Sequence, residues 1–497
     1  MLRNWISHLE YQEQLYLKML LHYEMQKSRL VALDKSISKL YLLNLDSLLP
    51  VINPLYSDLG RPAKNQQGII RSLVLMLDQQ EHSITKWAKK IAFNSLILDI
   101  CGFEDGVPSA SSYYDFLVRL WILDHKLHVQ RKLKVKSFSS KPRKKLKAGE
   151  KQPPKHSGTV KKLVDKALDG KLRNFCPETI FQKFIARCVV DTSSNMGILG
   201  GINNLSLAFD GSPFYSGASH YGIKVCDCKS KGIYNCHCPR RYSNPDARWG
   251  WDSYREQWFF GNTLFNVTAS DSPYDLPIYI KMVQASRHDS ITTVFALESI
   301  HNLYPDLHFK NFIADGAMDN YPTYELLKHY DILPFISLDS RTKAKFDYPH
   351  PDILCFDNKV NPICMGGIPF VNWGYSKPKG IKYRCYFAVK GLEPPAECKC
   401  SASKYGKVVH IKPNYDPRMF PPVPRSSEKF KDKFKTRTSV ERSNKRMFND
   451  YDIEEYKSRS AVLRMALATF SVINIHLDAW IKHTGFSLGN LIQSKTA

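Results

Sequence analysis

Between residues 205 and 337 the hydrophobic period of the sequence switches repeatedly, and this alternation limits the fold more than any other feature. The runs 205–209, 263–268, 277–283 and 309–313 are short and rich in branched and aromatic residues, the pattern of strands. Between the third and fourth, 290–303 is apolar at helical spacing, with Asp289 or Ser290 placed to cap it. A helix over 321–330 and a strand over 332–337 follow. Three strands and then strand–helix alternation predict a mixed α/β sheet.

Two of these strands each end on an aspartate. Asp210 follows 205–209 and precedes Gly211-Ser212-Pro213, read as a sharp turn that leaves the carboxylate at the sheet edge; Asp315 follows the fourth strand and precedes Gly316. Ligands of α/β folds gather at the carboxyl ends of strands, so two such acids can converge on one cation. Taken singly, each Asp-Gly is ordinary turn chemistry. A third acid lies in 435–448, where Arg437, Glu441 and Lys445 are spaced i, i+4, i+8. On a helix they share a face, one carboxylate between two cations. Alone, that is also the pattern of a surface ion-pair stripe.

At 497 residues the chain is long for a single core, and two or three units are expected. Residues 1–130 are apolar at helical intervals and predict an all-α N-terminal domain for DNA binding or dimerisation. Residues 131–172, with Lys144 and Lys145 among many lysines, Ser, Pro and Gly, read as a basic flexible linker able to follow DNA phosphates. The sheet domain begins in 173–340, with a Cys-rich insertion at 222–260. It is interrupted by an inserted subdomain at 341–430, dense in Pro, Gly, Lys and Cys, and completed by the helical part 431–497 that carries Glu441. A net charge of +24 favours a polyanion, most commonly nucleic acid. The N-terminus lacks the apolar core of a signal peptide, and no later stretch reads as a bilayer span. A cytoplasmic protein with reduced thiols and no membrane partner is expected.

For reduced thiols, clustering points to metal. Cys226-Asp-Cys228 and Cys236-His-Cys238 close a short loop and supply the four thiolates of a tetrahedral structural zinc, with unligated thiols as the alternative. Cys398 and Cys400, with Cys385, Cys364 or Cys355, form a weaker second set. Just beyond the first set, Arg240, Arg241, Trp249 and Trp251 interleave cations and aromatics, which suits stacking on bases and clamping phosphates at a distorted DNA end. Trp258, Phe259 and Phe260, before a strand, read as core, and His288 as a helix-start residue.

The chain resembles the DDE-type insertion-sequence transposases of bacteria. The resemblance covers most of its length and is most specific at Ala208-Phe-Asp-Gly-Ser-Pro213, Ala314-Asp-Gly-Ala-Met-Asp-Asn-Tyr-Pro322 and Arg437-Thr-Ser-Val-Glu-Arg442. It implies a ribonuclease-H-like mixed sheet whose Asp210, Asp315 and Glu441 bind two Mg²⁺ or Mn²⁺ ions. It also implies that Arg437 contacts DNA beside the site, with Arg442, Lys445 and Arg446 as further DNA-facing cations. The implied activity is cleavage at the ends of an insertion sequence and strand transfer into target DNA, by a homodimer or larger assembly on double-stranded terminal repeats. One departure stands out: the family has a tyrosine three residues before the arginine and a lysine seven after the glutamate, where this chain has Phe434 and Phe448. Lys445 or Arg446 is then the stand-in for the missing lysine. A DNA-binding relative that does not cut, and a metal-dependent nuclease without strand transfer, are the alternative readings.

Overall fold

Strands and helices form where the sequence period changes. The structure, a computed structural model, describes residues 2, 5–121, 133–135, 158–339 and 348–496, apart from 61, 104, 105, 174, 175, 377, 396, 397, 399, 400 and 402. Its main sheet is built on the central strand Leu205–Tyr215. Gln257–Ala269 runs antiparallel beside it, from Leu207↔Ala269 to Tyr215↔Gly261. On its far side Gln257–Ala269 pairs with Leu276–Gln284 and, near its start, with Arg248–Asp252. The other edge of the central strand is parallel: Phe309–Ala314 lies next to it and Leu333–Ile336 beyond. The helices Asp289–Leu303 and Tyr321–His329 make the crossovers that parallel pairing requires. The central strand is buried from Leu205 to Phe209, as expected of a strand covered on both faces.

The fold is therefore mixed α/β, preceded by a helical N-terminal region that opens with His8–Leu42 and includes Gln66–Asp78. This region shares its core with the sheet: one apolar cluster runs from Tyr11 and Trp87 through Phe209 to Trp480. The helix Ala461–Thr484 joins the two, packing on Gln66–Asp78, His8–Leu42 and Leu276–Gln284. Against the expectation that no later stretch reads as a bilayer span, the segment Ala461–Ser494 is long and apolar enough to cross a membrane, and 89% of its apolar window is buried inside the protein.

Two further boundaries differ from expectation. The stretch read as linker contains the helix Thr159–Leu168, which packs on Asp289–Leu303 and Tyr321–His329 with Val164 buried. The density of lysine hid an apolar stripe at helical spacing, and Lys161 pairs with Glu325 at 2.9 Å. The Cys-rich insertion is narrower than 222–260, because Arg248–Asp252 and Gln257–Ala269 are strands of the main sheet. After Leu333–Ile336, residues 348–427 form two small sheets with a core of their own around Phe370, Ile381, Tyr383 and Phe420. They are tied back to the main sheet by Arg418 on Asp319 at 2.6 Å, both buried.

Lys39 is the polar hub between the N-terminal helices and Ala461–Thr484. It is 1% exposed and lies between Asp78 and Asp478, 2.8 Å from the latter, with Asn474 and the Tyr451 hydroxyl at 3.2 Å. The Asp478 carboxyl is held down to about 2, burial being outweighed by Lys39, Lys35 and Tyr451. Removing one partner of a buried pair leaves an uncompensated charge. Lys39→Met is expected to lower stability by about 3–5 kcal/mol in urea denaturation. A loss below ~1 kcal/mol, the scale of a surface pair, contradicts this role.

Candidate active site

Asp210 lies inside the central strand, opposite Asn266. Gly211-Ser212-Pro213 does not turn the chain as the sequence reading held, because the strand continues to Tyr215. Its parallel neighbour stops first: the last parallel rung is Ala208↔Ile313, and Phe309–Ala314 ends one residue later. Pro213 is tolerated because its missing N–H faces that vacated side. Asp210 and Asp315 thus each stand two residues past the same rung on adjacent strands. Asp315 does begin a turn, its Oδ1 accepting from the Ala317 amide at 3.0 Å. Gly211 serves close approach: a Cβ there would lie 2.6 Å from Asp289 Oδ1.

Glu441 arrives from the helix Thr438–Lys445. One turn later, Asn444 donates to Asp210 Oδ2 at 3.1 Å and to Ser212 Oγ at 2.9 Å. Asn266, on the neighbouring strand, donates to Asn444 Oδ1 at 2.9 Å and to Ser443 Oγ at 3.1 Å. These buried amides fix the helix against the sheet. Glu441 remains half-exposed with Arg437 on its Oε1 at 2.6 Å. Asp210, Asp289 and Glu441 line a cleft of about 1000 Å³, with Trp251, Tyr254 and Lys445 on its walls. Asp315 is not among the residues that line the cleft, and the field of its charge acts on Asp210.

That field is strong. Burial, then the charge of Asp315, lifts the Asp210 carboxyl to about 6; Glu441 adds to the rise and Arg437 opposes it. Burial, then Asp210 and Asp315, lifts Asp289 to about 7. The sequence reading offers Asp289 or Ser290 as the cap. His288 caps instead, its Nδ1 accepting from the Ser290 amide, and Asp289 is the first helical residue, facing Asp210. Its signal was available: Arg287-His-Asp289 follows a third strand of the same sheet. Asn444 carried no such signal, since only the packed helix reveals it.

The other expected residues divide. Lys445 and Trp251 reach the cleft. Arg442 is drawn to Asp275 at 2.6 Å, and Arg446 to Asp478 and the Tyr274 carbonyl, both at 3.3 Å. Trp249 packs edge-on against Phe260 and His220. Trp258, read as core, is 66% exposed and meets Trp251 edge-on at 5.4 Å; Phe259 is the buried member of its trio. Trp258 pairs with Trp251 across two strands and shares its solvent face, whereas the alternate residue Phe259 turns inward. Phe434 stacks on Phe430 beside Ala208, Ile313 and Phe335, and Phe448 packs edge-on against Phe214, so both departures serve packing of the glutamate segment on the sheet. Lys144 and Lys145 lie outside the described residues.

A second cluster stands apart from the acids. Cys226 and Cys236 Sγ are 3.5 Å apart, as are Cys228 and Cys238 Sγ, and all four sulfurs lie within 4.8 Å of one another. Tetrahedral zinc with 2.3 Å bonds to sulfur needs edges of roughly 3.8 Å, so the four can hold a metal ion such as zinc. Arg240 and Arg241 lie on the adjoining short strand Pro239–Arg241. Of the second cysteine set, Cys364 and Cys398 both approach Gly366, but Cys400 lies outside the described residues. No second group of three or more ligating side chains occurs among the described residues.

No family model, curated protein or solved structure matches the chain.

Asp210 and Asp289 hold protons when folded at a pH where the unfolded chain has lost them. Their contribution to stability is complete below about pH 4 and is lost as pH rises through 6 and 7. In metal-free buffer, Asp289→Asn is expected to raise stability at pH 8 by on the order of 2 kcal/mol and to change little at pH 4. Thermal unfolding at the two pH values checks this; destabilisation at pH 8 contradicts the electrostatic account.

Proposed function

We propose that the chain is a DNA transposase of the DDE type, with a ribonuclease-H-like catalytic domain, acting as a dimer or larger assembly on the double-stranded ends of its element. The observation that carries this reading is that Asp210 and Asp315 stand at matching positions of adjacent strands where the central strand loses its parallel neighbour, with the helix of Glu441 bonded to Asp210 through Asn444. The strand order supports it: in chain order four antiparallel strands, the short Arg248–Asp252 among them, are followed by two parallel ones, with the third acid on a later helix. The net charge of +24 supports a polyanionic substrate.

Asp210, Asp315 and Glu441 offer oxygen donors only, a set that suits Mg²⁺ or Mn²⁺ rather than a soft metal. Their mutual repulsion gives divalent cations a further reason to bind there. Two such ions, when bound, supply an activated water and charge stabilisation at a departing 3′ oxygen. The protein's own part is positional. Asn444 and Asn266 hold the glutamate helix against Asp210, Arg437 balances Glu441 until phosphate is present, and Lys445 offers the cleft a cation.

Asp210→Asn, Asp315→Asn and Glu441→Gln should each reduce cutting of the element's end DNA in Mg²⁺ by more than ~100-fold, beyond the usual cost of losing an outer partner, while leaving DNA affinity nearly unchanged. Cleavage and strand-transfer assays on DNA carrying the flanks of the coding region read this directly. Near wild-type cutting by any one variant overturns the triad, and cutting without joined products favours a nuclease.

A further inference from the structure

The tetracysteine loop has a metal-ligating set and no core. From Ser219 to Ser243 only Cys236 is buried, while Tyr221, Ile223, Val225, Ile233 and Tyr234 are all exposed. Apolar burial therefore does not hold these residues in place, and a segment so small and coreless is one that metal ligation folds. Its hydrogen bonds are local turns, such as Ile233 N to Cys228 O at 2.8 Å, and a short ribbon in which Pro239–Arg241 pairs with Ile223–Lys224 and with Leu133–Val135.

The same segment is basic. Lys224, Lys229, Lys231, Arg240 and Arg241 face a single acid, Asp227, which pairs with Lys231 at 2.7 Å. Arg240 donates through one terminal nitrogen to the Tyr221 carbonyl, but its Nε meets no acceptor among the described residues. Leu133–Val135 brings the start of the lysine-rich stretch to the ribbon, with Lys134 opposite Arg240. The base of the loop rests on the sheet through His220, which packs against Trp249 and Phe260. Trp249 and Trp251 share one face of Arg248–Asp252, and Trp251 lines the acid cleft. A path of cations and exposed aromatics thus leads from the cysteines to the acids.

We propose that the four cysteines bind a zinc ion that folds residues 219–243 into a docking arm for the phosphate backbone of the DNA that enters the acid cleft. The protein then has two separate metal requirements, one for capturing DNA and one for cutting it. The occupant is duplex DNA because the charge complements phosphates and the path ends at the site of phosphodiester chemistry; this rests on the reading under Proposed function.

The test uses the full chain, purified with zinc, and a labelled random-sequence duplex of about 40 base pairs titrated at several salt concentrations without Mg²⁺. Wild type is expected to carry one zinc per chain by elemental analysis. The Lys229→Ala/Lys231→Ala/Arg240→Ala/Arg241→Ala variant should keep its zinc, bind at least about tenfold more weakly, and lose up to about 3.6 units of log–log salt slope, about 0.9 per lost phosphate contact. Cys226→Ser/Cys236→Ser should lose the zinc together with the same affinity, and a circular dichroism spectrum like that of wild type shows the rest of the chain folded. Zinc-free wild type, an unchanged salt slope in the alanine variant, or stronger competition by RNA of equal length than by the duplex each overturns the proposal. Cutting assays keep the two readings apart. An arm-dependent slope without any cutting defeats the transposase reading alone, and Asp210-dependent cutting with an arm-independent slope defeats the arm alone.

Discussion

The helix Ala461–Thr484 is the constraint on which the architecture rests. It is nearly all buried, and three of its buried polar residues, Arg464, Asn474 and His476, are each tied to different neighbours. Arg464, under the main sheet, donates to Asn262 Oδ1 and the Phe214 carbonyl and lies over the Phe214 ring, with no carboxylate paired to it among the described residues. Burial alone pulls its guanidinium down to about 9. His476 bridges Ser193 Oγ and the Pro277 carbonyl, kept neutral by burial that lowers it to about 4. Asn474 reaches the Val74 carbonyl of the N-terminal helices. An apolar helix alone could slide or rotate in such a core; these bonds set its register, because a mispaired buried polar group costs about 1–3 kcal/mol.

The candidate site stands on that frame and works against it. Packing Asp210 and Asp289 into largely buried positions beside other carboxylates raises their proton affinities, a cost to folding that the surrounding core has to offset. The amide chain Asn266–Asn444–Asp210 makes the crowding tolerable by donating into it, and it also sets where Glu441 stands. The glutamate helix is thus aligned by neutral donors rather than by the Arg437–Glu441 pair.

Much of this was legible in the sequence. The four strand-like runs all lie within strands, two of which extend well beyond the run, and the helices over 290–303 and 321–330 form almost where their period puts them, because both faces of the sheet are covered and the apolar runs are unbroken. Asp210 and Asp315 were legible as strand-associated acids. The extent of the central strand was not, since Gly-Ser-Pro is turn chemistry unless a neighbouring strand ends and releases the proline. Asp289 was hidden by its fitness as a cap, and Trp258 by the habit of reading aromatic runs as core. The lysine-rich stretch looked uniform, yet 159–168 kept enough apolar period to fold. Lys39 and Asn444 were invisible because their partners lie hundreds of residues away.

The order of acids along the chain has a consequence for biosynthesis. Asp210 and Asp315 belong to strands in the first part of the sheet to be synthesised, whereas Glu441 and the buried helix behind it emerge only after residues 348–427. At about 5–20 residues per second, nascent chains spend seconds to tens of seconds with two of the three acids in place and the cleft unfinished. The cleft is therefore completed only late in synthesis, once the helix that carries Glu441 has joined the sheet.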